Sequence, residues 1–283
     1  MANRADALIH GIEQLVTLPA VYFEIRRVIE SPNSTMMDIA RTISTDPALA
    51  AKMLRIVNSP LYAQSRPVET ITRAVSMLGM IQIHDLALAA SLSSSFARIP
   101  VGVMDMARFW RGSVLRACLM KALAVRAGLR EQERSFLQGL LSDIGHLVMY
   151  LRIPDACAVV LHQAQTGDTP LYRIERDNLG CDYAQVGASL LRRWHLPAGV
   201  HEVVAMQNTP AESTQYRREA ALLHIAVSIA SEPEDDFASD RIEPAILAMA
   251  GLDSEGIGEA IAEARASAEQ MSMILNGNLA KVA

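Results

Sequence analysis

Three side chains that can carry chemistry stand together in the stretch LLSDIGHLVM, which covers residues 140–149. Ser142 offers a hydroxyl, Asp143 a carboxylate and His146 an imidazole, and most of the other residues are apolar at helical spacing. Residues three apart share a face of a helix, so Asp143 and His146 should lie side by side. Such a pair can bind a divalent cation, or it can be a hydrogen-bonded pair in the protein interior. The spacing leaves both interpretations open.

A second group of candidate residues is basic. Against the acids Glu131 and Glu133, the stretch from 107 to 134 carries seven basic residues: Arg108, Arg111, Arg116, Lys121, Arg126, Arg130 and Arg134. Guanidinium groups bind phosphate through two parallel hydrogen bonds, so Arg111 and Arg116 are candidates for an anion or nucleotide site. The alternative is a solvated helix face whose charges pair with acids elsewhere in the chain. The sequence contains neither a P-loop nor a Rossmann glycine motif.

Two further histidines have ordinary structural explanations. His224 lies in the apolar stretch LLHIAVSIA, four residues before Ser228, and is expected to be a hydrogen-bonded histidine of the core. His195 precedes Leu196 and Pro197 in RRWHLP and is expected to line a turn.

The elements that must position these groups are helices. Ala, Leu, Ile, Met and Val recur at spacings of three and four residues, which favours packed helices over β-structure. Asp46 can cap a helix that begins at Pro47 and stops at Asn58. Thr35, three residues before Asp38, marks another helix start. Further along, the apolar-periodic stretch 69–92 is expected to be broken near Gly79. We therefore expect an all-α protein with almost no sheet.

The helices are expected to form two lobes. Pro100 and Gly102 interrupt the helical pattern and suggest a boundary between an amino-terminal helical lobe, residues 1–100, and a second lobe, residues 101–283. The second lobe should open with a long helix that ends at Gly128. An amphipathic helix over residues 254–277 should close the chain.

Charge and composition limit the classes of partner and compartment. The net charge of −5 gives no general attraction to nucleic acid or to an anionic membrane. The amino terminus lacks the apolar core of a signal peptide, and no apolar run approaches the roughly 18 residues that span a bilayer. Cys118, Cys157 and Cys181 are widely spaced and are expected to be buried, reduced thiols. We expect a cytoplasmic protein.

Several motifs resemble the HDOD domain family. They are Asp46-Pro47 at the start of a helix, Asn58-Ser59 at its end, and Ala74 followed by Leu78-Gly79. The resemblance continues through FWRGSVLRA, FLQGLLSDIGHLVM, DYAQVGASLLRRWHLP and LLHIAVSIA, and so covers residues 15–230. That family is all-helical, is related to the HD metal-dependent phosphohydrolases, and is generally regarded as a signalling or regulatory module. The resemblance implies the same fold and role for this chain.

The resemblance also implies a degenerate metal site. An HD phosphohydrolase site needs an early histidine, an adjacent His-Asp pair and a distal aspartate around its cation. The matching positions of this chain are Gly112, Ser142 with Asp143, and Ser228, and further family histidines are replaced by Tyr183, Gln207 and Asn208. We therefore expect no catalytic residue, no metal and no cofactor. In active relatives the place of His146 holds a basic residue, which favours a role for His146 in orienting Asp143.

The expected function is regulatory. We expect a non-catalytic signal-transduction module that binds a partner protein, or a small signalling ligand such as a nucleotide, around the degenerate site. The competing hypothesis is a weak metal-dependent phosphohydrolase acting on a nucleotide or phosphoester. A nucleic-acid-binding regulator would need a basic surface beyond the one helix identified. Neither a membrane nor a nucleic acid is an expected partner.

Overall fold

The computed structural model describes residues 4–10, 20–62, 64–95, 104–129, 132, 134–231 and 242–276. Within these ranges all regular structure is helical and no β-strand occurs, which confirms the predicted all-α fold. The helices are α1 (Arg4–Ile9), α2 (Ala20–Glu30), α3 (Met36–Ser44), α4 (Pro47–Val57), α5 (Ile71–Ser95), α6 (Met106–Arg126), α7 (Ser135–Leu141), α8 (Ile144–Arg152), α9 (Pro154–Thr166), α10 (Leu171–Leu179), α11 (Tyr183–Arg193), α12 (Ala198–Met206), α13 (Arg217–Ser231), α14 (Pro244–Ala250) and α15 (Ser254–Asn276).

The chain divides into two compact units. One unit, here called the site unit, combines Met1–Gln14 with Pro100–Ala262, and the other, the α2–α5 unit, combines Leu15–Ile99 with Glu263–Ala283. Each unit therefore contains two segments of chain, whereas the predicted lobes 1–100 and 101–283 were continuous. The predicted boundary between residues 100 and 101 lies in 96–103, outside the described residues.

The helix starts of the α2–α5 unit follow from local sequence. Thr35 caps α3 in a reciprocal capping box with Asp38, and Asp46 accepts hydrogen bonds from two amides of the first turn of α4. Pro47 occupies the first position of α4, where its missing N–H has no cost. These two helix starts agree with the expectation from the sequence.

The end of α4 is held by the side chain of Asn58. Its Nδ2 donates to the carbonyl oxygen of Val68 at 2.9 Å, and its Oδ1 accepts from the Val68 N–H at 2.7 Å. The same Nδ2 also donates to the last turn of α4, at Leu54. The side-chain amide of Asn58 thus provides hydrogen-bond partners for both the N–H and the carbonyl oxygen of Val68, ten positions further along the chain.

Helix α5 is long and apolar, but it is interrupted. Gly79 has φ 78° and ψ 168°, which breaks the helix where the sequence predicted an interruption. Over Ile71–Leu92 its length and composition would suffice to cross a membrane, contrary to the expectation that no such run exists. However, 56% of that window is buried within the protein, and the window contains His84 and Asp85. Core helices of soluble proteins have the same properties.

Two close approaches between helices shape the core of the site unit. Helix α7 packs against α6 so tightly that a Cβ at Gly139 would collide with the backbone of Arg116 and Ala117. Helix α8 packs against α11 in the same way, because a Cβ at Gly145 would collide with the carbonyl oxygen of Tyr183. Only glycine fits at either position. These contacts bring Arg116, Tyr183 and the start of α8 into one region.

The stretch LLSDIGHLVM is not one continuous helix. Helix α7 ends at Leu141, helix α8 begins at Ile144, and Asp143 flanks the new helix with φ −109° and ψ 6°. The Ser142 hydroxyl donates to the carbonyl oxygen of Gly139 at 2.8 Å and closes the last turn of α7. The apolar spacing is continuous across residues 140–149 and gave no sign of this break.

Candidate functional site

Asp143 and His146 are in contact, as their spacing predicted. Oδ1 of Asp143 lies 2.5 Å from Nδ1 of His146, and Oδ2 of Asp143 accepts a hydrogen bond of 3.0 Å from Nη2 of Arg116. The other ring nitrogen of His146, Nε2, lies 2.9 Å from Oε1 of Glu175. We call these four residues the charge cluster. It joins α6, the turn between α7 and α8, α8 itself and α10.

The charge cluster is largely shielded from solvent. The side chain of Glu175 is 3% exposed, and those of Arg116, His146 and Asp143 are 10%, 11% and 22% exposed. Buried charges are stable only when they are paired and hydrogen-bonded. Here the two cationic and the two anionic side chains neutralise one another within hydrogen-bonding distance.

Protonation of the cluster follows from these contacts. Burial alone would lower the pKa of His146, but the carboxylates of Asp143 and Glu175 act against it and raise that pKa to about 10. Burial would raise the pKa of Asp143, but Arg116 and His146 outweigh it, so this pKa lies below its ordinary value. At neutral pH His146 is therefore an imidazolium ion and Asp143 a carboxylate.

Two tyrosine rings stack on the imidazolium. The ring of Tyr183 has its centroid 4.2 Å from that of His146 and an interplanar angle of 14°, and Tyr150 stacks at 5.4 Å and 20°. Burial raises the pKa of both phenols above the ordinary value, so both rings stay neutral. A cation over an aromatic face is stabilised by the ring quadrupole. Tyr183, at a predicted site position, therefore contacts His146 through its ring.

Further hydrogen bonds extend the cluster to the start of α11. Oε2 of Glu175 accepts from the N–H of Tyr183 at 2.9 Å, and the Tyr183 hydroxyl donates to Oδ1 of Asn208 at 3.1 Å. Next to it, Asp182 caps α11 and accepts a 2.7 Å hydrogen bond from Nε of Arg176. Asn208, predicted as a site position, thus belongs to the same network.

The space beside Gly112 is taken by Arg116. A Cβ at Gly112 would lie 3.3 Å from Nη1 of Arg116, which is closer than an ordinary van der Waals contact. The guanidinium is held there by hydrogen bonds to Asp143 and, at 3.2 Å, to Oγ of Ser113. It therefore lies next to the position at which the HD pattern expects a histidine.

The remaining predicted positions lie in a second chain of hydrogen bonds. Gln207 donates to the carbonyl oxygen of Ser142 at 2.8 Å, and Nδ1 of His224 lies 2.7 Å from the carbonyl oxygen of Gln207. The Ser228 hydroxyl donates to the His224 carbonyl at 2.9 Å. The hydroxyls of Ser142 and Ser228 are thus bonded to backbone of their own helices. Among the contacts of the described residues, neither hydroxyl reaches Asp143 or His146.

The basic stretch does not form one surface. Arg111 is exposed on α6, whereas Arg116 is buried in the charge cluster, so the structure does not bring these two candidates together. Arg126 pairs with Glu259 at 3.2 Å, as expected of a helix whose charges are balanced by acids elsewhere. Arg130, Glu131 and Glu133 lie outside the described residues.

The cluster does not fit a divalent cation. In the part of the chain that the structure describes, no group of three His, Cys, Asp or Glu side chains is arranged to hold a metal ion. Both ring nitrogens of His146 face carboxylates at hydrogen-bonding distance, and a metal ligand must present a deprotonated nitrogen. Arg116 already supplies positive charge to Asp143.

The cysteines are not candidate nucleophiles. Cys118, Cys157 and Cys181 are buried and free of disulfides. Burial raises the pKa of Cys157 to about 12 and that of Cys181 to about 11. A thiol with so high a pKa is almost entirely protonated at neutral pH and reacts slowly.

Glu175 and Tyr150 are the members of this site that sequence reasoning missed. Glu175 lies in LYRIERDNL, where acids and bases surround it and nothing separates it from a solvated helix face. Glu175 and its neighbour Ile174 are both buried on α10, which the local sequence does not show. Tyr150 lies four residues after His146, a spacing that places both on one helical face.

Comparison with known proteins gives the family. The HDOD domain model matches residues 15–210. An uncharacterized protein of Treponema pallidum (strain Nichols) is 25% identical over 219 residues, which are 75% of this chain and 41% of that protein. The chain thus spans less than half the length of this relative.

Solved structures show the same fold. A candidate phosphohydrolase from Shewanella amazonensis SB2B is 28% identical with a TM-score of 0.75, and the match covers 95% of this chain and 98% of the other. An HDOD domain protein of unknown function from Geobacter sulfurreducens is 19% identical with a TM-score of 0.73, and covers 96% of each chain. Because the family model matches well over half of its residues, this chain belongs to the HDOD domain family.

Proposed function

We propose that this protein is a non-catalytic regulatory module whose degenerate HD site is a structural charge cluster. The observation that carries the proposal is the double contact of His146, which places one carboxylate on each ring nitrogen. An imidazolium held in this way can neither bind a metal nor accept a proton from a water nucleophile. Asp143, the carboxylate that remains of the HD pattern, is instead bonded to Arg116 and His146.

The charge balance supports this function over hydrolysis. Two positive and two negative side chains cancel within the cluster, so no net charge is left to attract a cation. The same cancellation argues against a nucleotide phosphate at Arg116, because its guanidinium already binds Asp143. We therefore propose a protein partner, rather than a nucleotide, as the binding target.

The cluster also offers a route by which binding could be transmitted. Arg116 lies on α6, His146 on α8, Glu175 on α10 and Tyr183 at the start of α11, and each is bonded or stacked to another member. A partner that shifted one of these helices would have to break a buried ionic contact or move the others with it. Discrete rearrangements of this kind couple distant surfaces.

A metal-dependent phosphohydrolase is the second candidate. It is favoured by one specific observation, the 28% identity to the Shewanella amazonensis SB2B protein, which is described as a phosphohydrolase candidate. Hydrolysis would require a divalent cation bound near Asp143, the carboxylate that remains of the HD pattern.

One set of assays separates the two functions. The protein and its Asp143→Asn variant are incubated with mono- and diester phosphate substrates in the presence of Mg²⁺, Mn²⁺, Zn²⁺ or Ni²⁺, and an active HD phosphohydrolase serves as positive control. We expect no turnover above that of the variant. Metal-dependent turnover that disappears in Asp143→Asn would establish the phosphohydrolase instead.

The regulatory role itself needs a partner. Proteins captured from the cells of origin by the chain of residues 1–283 should be identified by mass spectrometry, purified and titrated against the wild type and against His146→Gln. We expect a partner whose affinity falls in the variant although the variant remains folded. If no captured protein binds in the purified system, the regulatory proposal fails.

A further inference from the structure

A second buried polar network lies in the α2–α5 unit. The hydroxyl of Tyr22 on α2 lies 3.0 Å from Nε2 of His84 on α5, and Nδ1 of His84 lies 2.9 Å from Oδ1 of Asp85. The three residues are 0%, 8% and 4% exposed, respectively. None of them belongs to the charge cluster. We call these three residues the Tyr–His–Asp network.

The contacts of His84 determine which ring nitrogen carries the hydrogen. A carboxylate only accepts hydrogen bonds, so Nδ1 must donate to Asp85. In a neutral imidazole Nε2 is then an acceptor, and the Tyr22 hydroxyl donates to it. Burial raises the pKa of the Tyr22 phenol above its ordinary value, so the phenol keeps its proton. The donors and acceptors along these two contacts therefore match while His84 is neutral.

A second proton on His84 would act differently on the two contacts. An imidazolium donates through both nitrogens, so the hydrogen bond to Asp85 would be kept and strengthened by charge. At the other contact, Nε2–H and the Tyr22 hydroxyl would be two donors 3.0 Å apart. The hydroxyl hydrogen would have to turn towards the interior, because Tyr22 is fully buried, and a buried donor without an acceptor is costly.

The two contacts also differ in what they join. Asp85 is the neighbour of His84 on α5, so the contact that protonation strengthens lies within one helix. The contact with Tyr22 joins α5 to α2. Protonation of His84 therefore weakens the attachment of α2 even where the imidazolium itself is well stabilised by Asp85.

Helix α2 has few other buried side chains to hold it. Only Tyr22 and Ile25 of its eleven residues are buried. Helix α4 has the same length and buries four: Leu49, Met53, Ile56 and Val57. Segments with few buried apolar contacts open at a lower free energy than the rest of a protein. Loss of one buried hydrogen bond should therefore have a large effect on α2.

Beyond the network itself, the nearby charges lie on α2 and α4. Arg26 and Glu30 act on the Tyr22 phenol with opposite signs, and they pair with each other at 2.9 Å. Nζ of Lys52 donates to a carbonyl oxygen of α5, and burial lowers the pKa of Lys52 to about 8, so Lys52 also gains charge as the pH falls. The buried side chains of α3, which packs against α5, are apolar. A test must therefore separate His84 from Lys52.

We propose that His84 is a pH-dependent contact that holds α2 against α5 while the imidazole is neutral and releases α2 when the imidazole is protonated. Release uncovers the apolar surface that Tyr22 and Ile25 cover, and so makes this surface available at low pH. The proposal goes beyond the regulatory function proposed for the charge cluster and does not depend on it, since the two networks share no residue and belong to different units.

The protonation of His84 is measured directly by NMR. Ring nitrogen signals of the isotope-labelled protein are recorded from about pH 8 to about pH 5, the range in which histidine ordinarily changes its charge. The His84 signals are assigned as those that are missing in His84→Gln. We expect a neutral ring with its hydrogen on Nδ1 at the higher pH and an imidazolium at the lower pH.

Release of α2 is measured by hydrogen exchange and mass spectrometry at the same two pH values. Protection factors are used, because they are corrected for the intrinsic pH dependence of exchange. We expect the protection of α2 in the wild type to fall by an order of magnitude or more at the lower pH. Tyr22→Phe keeps the ring but lacks the hydroxyl, so its α2 should be weakly protected at both pH values. The matched control Tyr172→Phe removes a hydroxyl from α10 in the site unit and should behave as the wild type does.

Four results would overturn the proposal. They are a hydrogen on Nε2 of neutral His84, an unchanged charge of His84 across the range, equal protection of α2 at the two pH values in the wild type, and a loss of protection in Tyr22→Phe as large as in the wild type. The last result would assign the pH response to another group, such as Lys52. The first three use the wild-type fold alone, so they hold even if a variant does not fold. None of these outcomes bears on the hydrolysis assays for Asp143.

Discussion

Arg116 and position 112 compete for one space. A Cβ at Gly112 would lie 3.3 Å from Nη1 of Arg116, and the guanidinium is held in place by Asp143 at 3.0 Å. The loss of a side chain at position 112 and the presence of a buried arginine one helical turn later are thus parts of the same arrangement. A side chain at position 112 would therefore require the guanidinium of Arg116 to shift away from its present position.

The first prediction tests this competition. Gly112→His should destabilise the wild type by about 2 kcal/mol, a usual cost of overpacking. In an Arg116→Ala background the same change should cost clearly less, because the guanidinium is gone. Chemical denaturation of the four proteins of this double-mutant cycle measures the difference. Equal costs in the two backgrounds would mean that the two side chains do not share space.

The second prediction concerns the ion pair itself. Arg116→Met keeps most of the side-chain volume but leaves Asp143 without its guanidinium, so we expect a loss of about 3 kcal/mol in the free energy of unfolding. Arg111→Met is the matched control, since Arg111 is exposed on the same helix and its replacement should change stability by less than about 0.5 kcal/mol. Indistinguishable denaturation midpoints for the two variants would contradict a stabilising role of the pair.

The third prediction is a pH dependence. The pKa of His146 is raised from 6.5 to about 10 in the folded protein, so its contribution to stability is complete below pH 6.5 and is lost as the pH rises towards 10. The pKa of Asp143 is lowered, so its contribution is present above its ordinary value of 3.8 and is lost as the pH falls below it. The stability difference between the wild type and His146→Gln should therefore shrink from pH 6.5 to pH 10.

The control for this experiment is His162→Gln, because His162 is exposed on α9. Its stability difference from the wild type should be small, because the side chain is exposed. Urea denaturation at several pH values measures the unfolding free energies of the three proteins. If the His146→Gln difference does not change across this range, His146 is not held as an imidazolium.

The fourth prediction compares two glycines. Gly145→Ala should destabilise the protein by at least about 3 kcal/mol, because the new Cβ would collide with the Tyr183 carbonyl and push α8 away from α11. Gly258→Ala, in α15, meets no atom within 4 Å and should stabilise the helix by up to about 1 kcal/mol. Thermal unfolding of both variants and of the wild type measures these two changes in stability. A mild effect at Gly145 would show that the helices can separate without loss of packing.

Local features of this fold could be predicted from the sequence. The caps at Thr35 and Asp46, the interruption at Gly79 and the closing helix α15 each depend on a few neighbouring residues, and all appear in the structure. The contact between Asp143 and His146 was also predictable, because three residues on a helical turn bring the two side chains together. In each case the signal and the interaction lie within a few positions of each other.

The non-local parts could not be predicted in this way. Glu175 meets His146 across 29 positions and Arg116 meets Asp143 across 27, and no periodicity connects residues so far apart. The close approach of Gly145 to the Tyr183 carbonyl also joins residues far apart in the sequence. Arg116 was identified as a candidate, but its partner was not. A charged residue in a helix looks the same in sequence whether it faces solvent or a buried carboxylate.

The paired hydrogen bonds of Asn58 with Val68 have a consequence for how the chain folds. The two residues are ten positions apart, so closing the loop between them has a small entropic cost. Contacts of low sequence separation form early in folding. The corner between α4 and α5 can therefore act as an early folding nucleus. The charge cluster forms later, because it requires contacts between helices that are far apart in the sequence. Asn58, although exposed and not a member of the site unit, would then influence the folding rate more than the final architecture of the site.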